Sequence, residues 1–209
     1  MPSRNTVKEF GEDEYYHVYN RGVEKRKIFL DDNDYTVFLG LLKKYLIGEK
    51  DNNTNRHEFD NLSGQVQLLS YCLMPNHFHL LIYQASSDGI TKLMRRVITG
   101  YVMYFNNRYN RVGALFQARY KASRVDKDDY LHHISRYIHL NPDDYLNYPY
   151  SSTGYYLQTK KTPEWLVTDP ILSLFNSVDE YKGFLEDYVN TRHEIDIMRL
   201  QLATDLDEL

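Results

Sequence analysis

Two groups of side chains in this 209-residue chain have the types and spacing to do chemistry. The first is His77-Phe78-His79. If the run from His77 to Tyr83 is a strand, side chains two apart share a face, so both imidazoles project together while Phe78, Leu80 and Ile82 turn the other way. Two imidazoles on one face are the beginning of a metal site. Their neutral nitrogens suit zinc, manganese, cobalt or copper, and with phosphate and water oxygens completing the shell they suit magnesium or manganese. The pair alone does not separate that reading from two unrelated histidines. The second group is His133, Tyr137 and Asn141, four residues apart on a predicted helix and therefore stacked along one side, where Tyr130 can join them. A tyrosine hydroxyl is a nucleophile only when something activates it, and one tyrosine among twenty is ordinarily packing. The single cysteine, Cys72, excludes an internal disulfide and any Cys-rich zinc site. It sits in an apolar run that predicts a buried, inert thiol.

The elements that must position these residues follow from periodicity. Tyr15 to Asn20, rich in aromatic and β-favouring residues and followed by Arg21-Gly22, predicts a first strand. Asp31 to Leu46 carries Tyr35, Phe38, Leu39, Leu42 and Leu46 at three- and four-residue steps behind Asp31 or Asp32 as an N-cap, which predicts a helix. Lys50 to Ser63 is polar and predicts an exposed loop. Val66 to Leu73 and His77 to Tyr83, separated by Met74-Pro75-Asn76, predict a hairpin. Ile90 to Tyr109 predicts a long helix with one core face. Leu115 to Val125 predicts a strand or extended segment whose basic side chains point one way. Asp126 is placed to cap a helix from Asp128 to Leu140, which must end near Asn141 because Pro142 disfavours a helical residue before it. This order implies an α+β sandwich, a largely antiparallel sheet with helices on one face. Residues 1–155 read as one domain and 156–209 as an acidic, partly helical C-terminal extension, with a helix in the Asp179 to Leu200 region.

Four motifs now stand in series: Tyr15 to Gly22 (YYHVYNRG), Met74 to Leu81 (MPNHFHLL), Phe116 to Tyr120 (FQARY) and His132 to Pro142 (HHISRYIHLNP). In content, order and spacing they resemble the single-tyrosine HUH transposases, especially the REP-associated tyrosine transposases, over about Tyr15 to Ser152. The resemblance implies a ferredoxin-like (RRM-like) antiparallel sheet with helices packed on it. It matches His77 and His79 to a metal-binding pair, Tyr137 to the nucleophile, and Asn141 to a polar residue that completes the metal shell. It implies a Mg2+- or Mn2+-dependent transposase acting on single-stranded or hairpin DNA through a 5′-phosphotyrosine, as a monomer or homodimer. Rejoining then needs no ATP, in keeping with the lack of a GxxxxGK[ST] loop. The loop at Lys50 to Ser63 and the acidic extension depart from the family pattern.

Charge is segregated. The net charge is −4, but Lys92 to Arg136 holds ten basic residues against three acidic, and Phe175 to Leu209 nine acidic against three basic. Phosphates can face the middle and not the tail. Arg21, Arg95, Arg119, Lys121 and Arg124 are the candidate DNA contacts, with Tyr120 and Tyr104 as candidate stacking platforms. No apolar run nears the ~18 residues of a membrane span, and Met1 to Phe10 is polar, so a cytoplasmic protein is expected. Two rival readings use the same residues: a phosphohydrolase in which a metal activates water, and a non-catalytic single-strand-binding module.

Overall fold

The computed structural model describes residues 10–47, 62–125 and 128–190. Its centre is a four-stranded antiparallel sheet of β1 (Glu14–Arg21), β2 (Val66–Met74), β3 (His77–Gln84) and β4 (Lys121–Val125) in the order β2-β3-β1-β4. With α1 (Asp32–Ile47) after β1 and α2 (Gly89–Arg108) after β3, the β-α-β-β-α-β order is that of a ferredoxin-like fold. The fold class expected from the resemblance is therefore the one observed.

Local chemistry accounts for the elements. Asp31 caps α1, its Oδ1 accepting from the backbone N–H groups of Asn33 and Asp34 at 3.1 and 3.2 Å. The helix buries Tyr35, Phe38, Leu42 and Leu46, and α2 buries Leu93, Met94, Val97, Tyr101 and Phe105. β2 and β3 pair from Met74 opposite His77, so the turn between them is Pro75-Asn76 alone. A bulge between Leu68 and Ser70 resets the alternation of β2, sending Leu69 and Cys72 to one face while Leu68, Tyr71 and Leu73 remain on the other.

Helices cover both faces, not one. α1 and α2 pack on Val18, Phe78, Leu80 and Ile82. α3 (Asp128–His139) packs on Leu69, Cys72 and Leu81, and α6 (Val178–Asn190) joins the same cluster through Tyr181 and Leu185. Strands apolar on both sides require this second cover, because exposed Leu and Ile would each forfeit about 1.5–3 kcal/mol of burial. Between these helices, α4 (Thr153–Tyr156) spans the expected domain boundary, with Tyr156 Oη donating to Leu69 O at 2.9 Å. Leu166 bridges to Leu68, and α5 (Asp169–Leu172) leads to α6.

Two further expectations are corrected. β4 is shorter than the segment from Leu115, whose first residues instead run beside the end of β1, Phe116 bridging Gly22. Its basic side chains also point two ways: Lys121 stands opposite Tyr19 and Arg124 opposite Tyr16, on alternate faces. The expected Asp126 cap, most of the 50–63 loop and the chain beyond 190 lie outside the described residues. Among the described residues no helix is long and apolar enough to cross a membrane.

Candidate active site

The first and third side chains of β3, His77 and His79, lie on the face covered by α3, and in register across from them on β1 stand Arg21 and Tyr19. Four residues of helix advance about 6 Å and two residues of strand about 6.6 Å, so Tyr137 in α3 and Asn141 in the turn just past its end can meet strand positions 79 and 77 one for one. The Tyr137 ring stands 5.4 Å from that of His79 at an interplanar angle of 83°. Asn141 Oδ1 lies 3.0 Å from His77 Nε2. Four of the five residues singled out by type and spacing, His77, His79, Tyr137 and Asn141, are thus brought together within one chain.

Hydrogen bonds set the imidazoles. His77 Nδ1 lies 2.6 Å from Asn76 Oδ1, and His79 Nδ1 lies 2.9 Å from Nε2 of a third histidine, His17. In both residues the δ nitrogen is occupied and the ε nitrogen is left for the site. Burial holds all three rings neutral. It pulls His17 down to about 3 and His79 well below the ordinary histidine value. His77 falls to about 4, chiefly through burial and also through the nearby Arg21 charge, with the Asn141 amide oxygen acting the other way.

A neutral imidazole carries one N–H. At His77 both ring nitrogens face amide oxygens, Asn76 Oδ1 at 2.6 Å and Asn141 Oδ1 at 3.0 Å, so a single hydrogen serves one of them, and with that hydrogen on Nδ1 the Nε2 lone pair faces the Asn141 oxygen. A cation bound by both atoms satisfies both, and the donor set of two imidazole nitrogens and an amide oxygen fits a divalent metal. Among the described residues no group of three or more His, Cys, Asp or Glu could hold one. The remaining ligands would have to be water or substrate oxygens.

The other expected residues divide. Arg21, whose Nε is buried without a partner among the described residues, lines a cleft with Tyr19, Asn20, His77, Phe78 and His79. Arg119 is exposed at the same end of the sheet, following Ala118, whose carbonyl accepts from Asn20 Nδ2 at 3.1 Å. Lys121 is on the His79 face. Arg95 is exposed on α2 across the sheet, and Arg124 pairs with Glu14 at 2.5 Å on that far side too. His133 turns away: Arg136 donates to its Nδ1 at 3.0 Å, and its ring lies 5.6 Å from Phe184. Tyr120 is core, and Tyr104 donates to Asp34 at 2.9 Å, so both pack within the fold. Cys72 is buried, its thiol pushed up by burial. His17 and Asn76 were missed. Both sit inside the quoted motifs, but their partners emerge only from the β1–β3 pairing and the turn.

A family model described as Transposase IS200 like matches residues 14–141, from the first residue of β1 to Asn141. A solved structure described as a REP-associated tyrosine transposase bound to a REP hairpin aligns with a TM-score of 0.51, covering 77% of this chain and 89% of that one at 15% identity. No curated protein sequence matches the chain.

Proposed function

The chain belongs to the IS200-like transposase family, and from that premise we propose that it cleaves and rejoins single-stranded DNA with Tyr137 as nucleophile, using Mg2+ or Mn2+ held by His77, His79 and Asn141. The observation that carries this reading is the seating of Tyr137 on His79 by α3 and of Asn141 on His77 by the turn that ends it. When bound, the metal polarises a phosphate, which a phenol of ordinary pKa about 10 otherwise attacks poorly. Asn76 and His17 contact Nδ1 of the two ligand rings and orient them, leaving Nε2 of each as the nitrogen offered to the metal. Arg21, beside His77 with its Nε unpartnered, takes a phosphate oxygen.

In the step itself the Tyr137 Oη–P bond forms and the P–O3′ bond breaks. The phenolic proton leaves with O3′, giving a 5′-phosphotyrosine and a free 3′-OH. Attack by a 3′-OH reverses these changes and rejoins a strand, since the tyrosyl ester retains the phosphodiester energy. Hairpin DNA is the proposed partner by likeness to the neighbour bound to a REP hairpin. One chain supplies every residue invoked, which supports a site complete in the monomer.

The test is a hairpin oligonucleotide with single-stranded flanks, labelled at one end or the other and incubated with Mn2+ or Mg2+. A denaturing gel should carry a protein adduct with the downstream fragment only. Clean fragments without an adduct would replace this reading by hydrolysis, and binding without cutting would replace it by the non-catalytic module.

A further inference from the structure

Beyond Arg21 the chain does not pass straight into α1. It folds back over Gly22 to Lys27 through Glu24 and Lys25, whose φ values of 54° and 58° lie in the left-handed region that side chains rarely adopt. At Gly22 a Cβ would meet Arg26 O at 2.2 Å, so the fold-back requires glycine there. Such local strain persists only where the surroundings over-determine it. Here they do. Gly22 N donates to Asn76 O at 2.9 Å and Ile28 N to Pro75 O at 2.7 Å, while Asn76 Nδ2 donates to Lys25 O at 3.2 Å. Val23 N donates to Leu115 O at 3.0 Å on the other side. The loop is therefore tied to the turn that delivers His77 and to the segment that leads to Arg119.

What this tethered loop presents is three consecutive exposed cations, Lys25, Arg26 and Lys27. Glu24 approaches Arg26 at 3.9 Å, but the side chains are 82% and 40% exposed, so solvent screens the pair. At the opposite end of the sheet Glu12 and Asp13 lead into β1 at Glu14, and Arg124 there is engaged by Glu14. A polyanion is thus drawn to one end of the sheet and repelled from the other.

We propose that Lys25, Arg26 and Lys27 form a track for the phosphate backbone of single-stranded DNA entering or leaving the cleft, separate from the groups that hold the reacting phosphate. This rests on the reading of the chain as a single-stranded DNA transposase and adds where the strand runs. The loop holds the backbone without reading its bases, so it supplies affinity and not sequence choice.

The experiment is fluorescence anisotropy of a dye-labelled single-stranded oligonucleotide against the full chain, repeated over a series of NaCl concentrations. The triple variant Lys25→Gln/Arg26→Gln/Lys27→Gln should bind at least about tenfold more weakly near 0.1 M salt, and the slope of log affinity against log salt should shrink by about 2, at ~0.7 for each single-strand phosphate that is no longer neutralised. A control triple variant on the C-terminal face, Lys160→Gln/Lys161→Gln/Lys182→Gln, removes the same charge and should keep the slope. Adduct formation by the loop variant should recover at saturating DNA, which a damaged active site would not allow. A loop variant with the slope of the unaltered chain, or a control that loses as much, overturns the track alone. Absence of any DNA binding by the unaltered chain overturns the transposase chemistry and the track together.

Discussion

An imidazole serves a metal only when its tautomer and ring plane are set, and here the setting comes from neighbours that do no chemistry themselves. His17 occupies the δ nitrogen of His79 at 2.9 Å. His17→Phe keeps the bulk and the burial but removes that partner. It should leave the fold intact and weaken Mn2+ binding by roughly 10- to 100-fold in isothermal titration; unchanged affinity would mean that packing alone orients His79. At this scale the sequence was legible where the spacing is local. His77 and His79 share a face because a strand repeats every second residue, and the four-residue step from Tyr137 brings Asn141 to the same side although α3 ends at His139 and Asn141 lies in the turn beyond it. His17 was not legible, since its meeting with His79 depends on pairing between strands 62 residues apart in sequence. The division of Lys121 from Arg124 was within reach of the sequence, since residues three apart on a strand take opposite faces, and it overturns the expectation that the basic side chains of this segment point one way.

α3 carries the proposed nucleophile on its inner side and is gripped on its outer side by the C-terminal helix. Arg136, one residue before Tyr137, lies 4.0 Å from the ring centroids of both Phe184 and Tyr188, and its Nη1 donates to Phe184 O at 3.1 Å. Tyr181 Oη joins Ser135 Oγ at 3.1 Å and His139 Nδ1 at 2.7 Å. The basic count that marked the middle of the chain as DNA-facing thus includes one guanidinium spent on internal packing. Arg136→Ala removes a desolvated cation from between two rings and a charged hydrogen bond. It should lower stability by roughly 2–4 kcal/mol in urea unfolding, and a loss within about 0.5 kcal/mol, ordinary for a surface site, would contradict the grip. The hairpin, α1 and α2 were readable because each carries a single clean period. That helices cover both faces was harder to see. β2 and β3 read as near-continuous apolar runs, consistent with burial on either face or both, and the cover for the second face comes partly from residues read as an appendage.

Among the described residues, five histidines are held neutral by burial: His17, His77, His79, His133 and His139. His139, fixed between Tyr181 Oη and Ser152 Oγ at 2.7 Å each, falls to about 3. A group whose folded value is depressed in this way, being a base, binds fewer protons folded than unfolded below the ordinary value of about 6.5. Its contribution to stability is therefore undiminished above about pH 6.5 and is withdrawn as pH falls toward about 3, by up to about 2 kcal/mol per histidine at pH 5. The thermal midpoint of the metal-free chain should be flat from pH 8 to 7 and drop steeply between pH 6.5 and 5. His139→Gln should make that drop shallower, and an acid limb unaffected by the substitution would contradict the assignment. The same global view sets the basic end of the sheet at His77 and the acidic end at Glu12 to Glu14, so the molecule's net charge of −4 does not describe the surface proposed to meet DNA. The central claim concerns one hydroxyl among twenty tyrosines. The most direct measurement is to trap the covalent complex with a hairpin oligonucleotide and Mn2+, digest it with protease and nuclease, and locate the residual nucleotide by mass spectrometry. The account predicts the phosphonucleotide on Tyr137 and no adduct from Tyr137→Phe, which should still bind the DNA within about twofold. A nucleotide on any other residue, or an adduct that survives Tyr137→Phe, would contradict it.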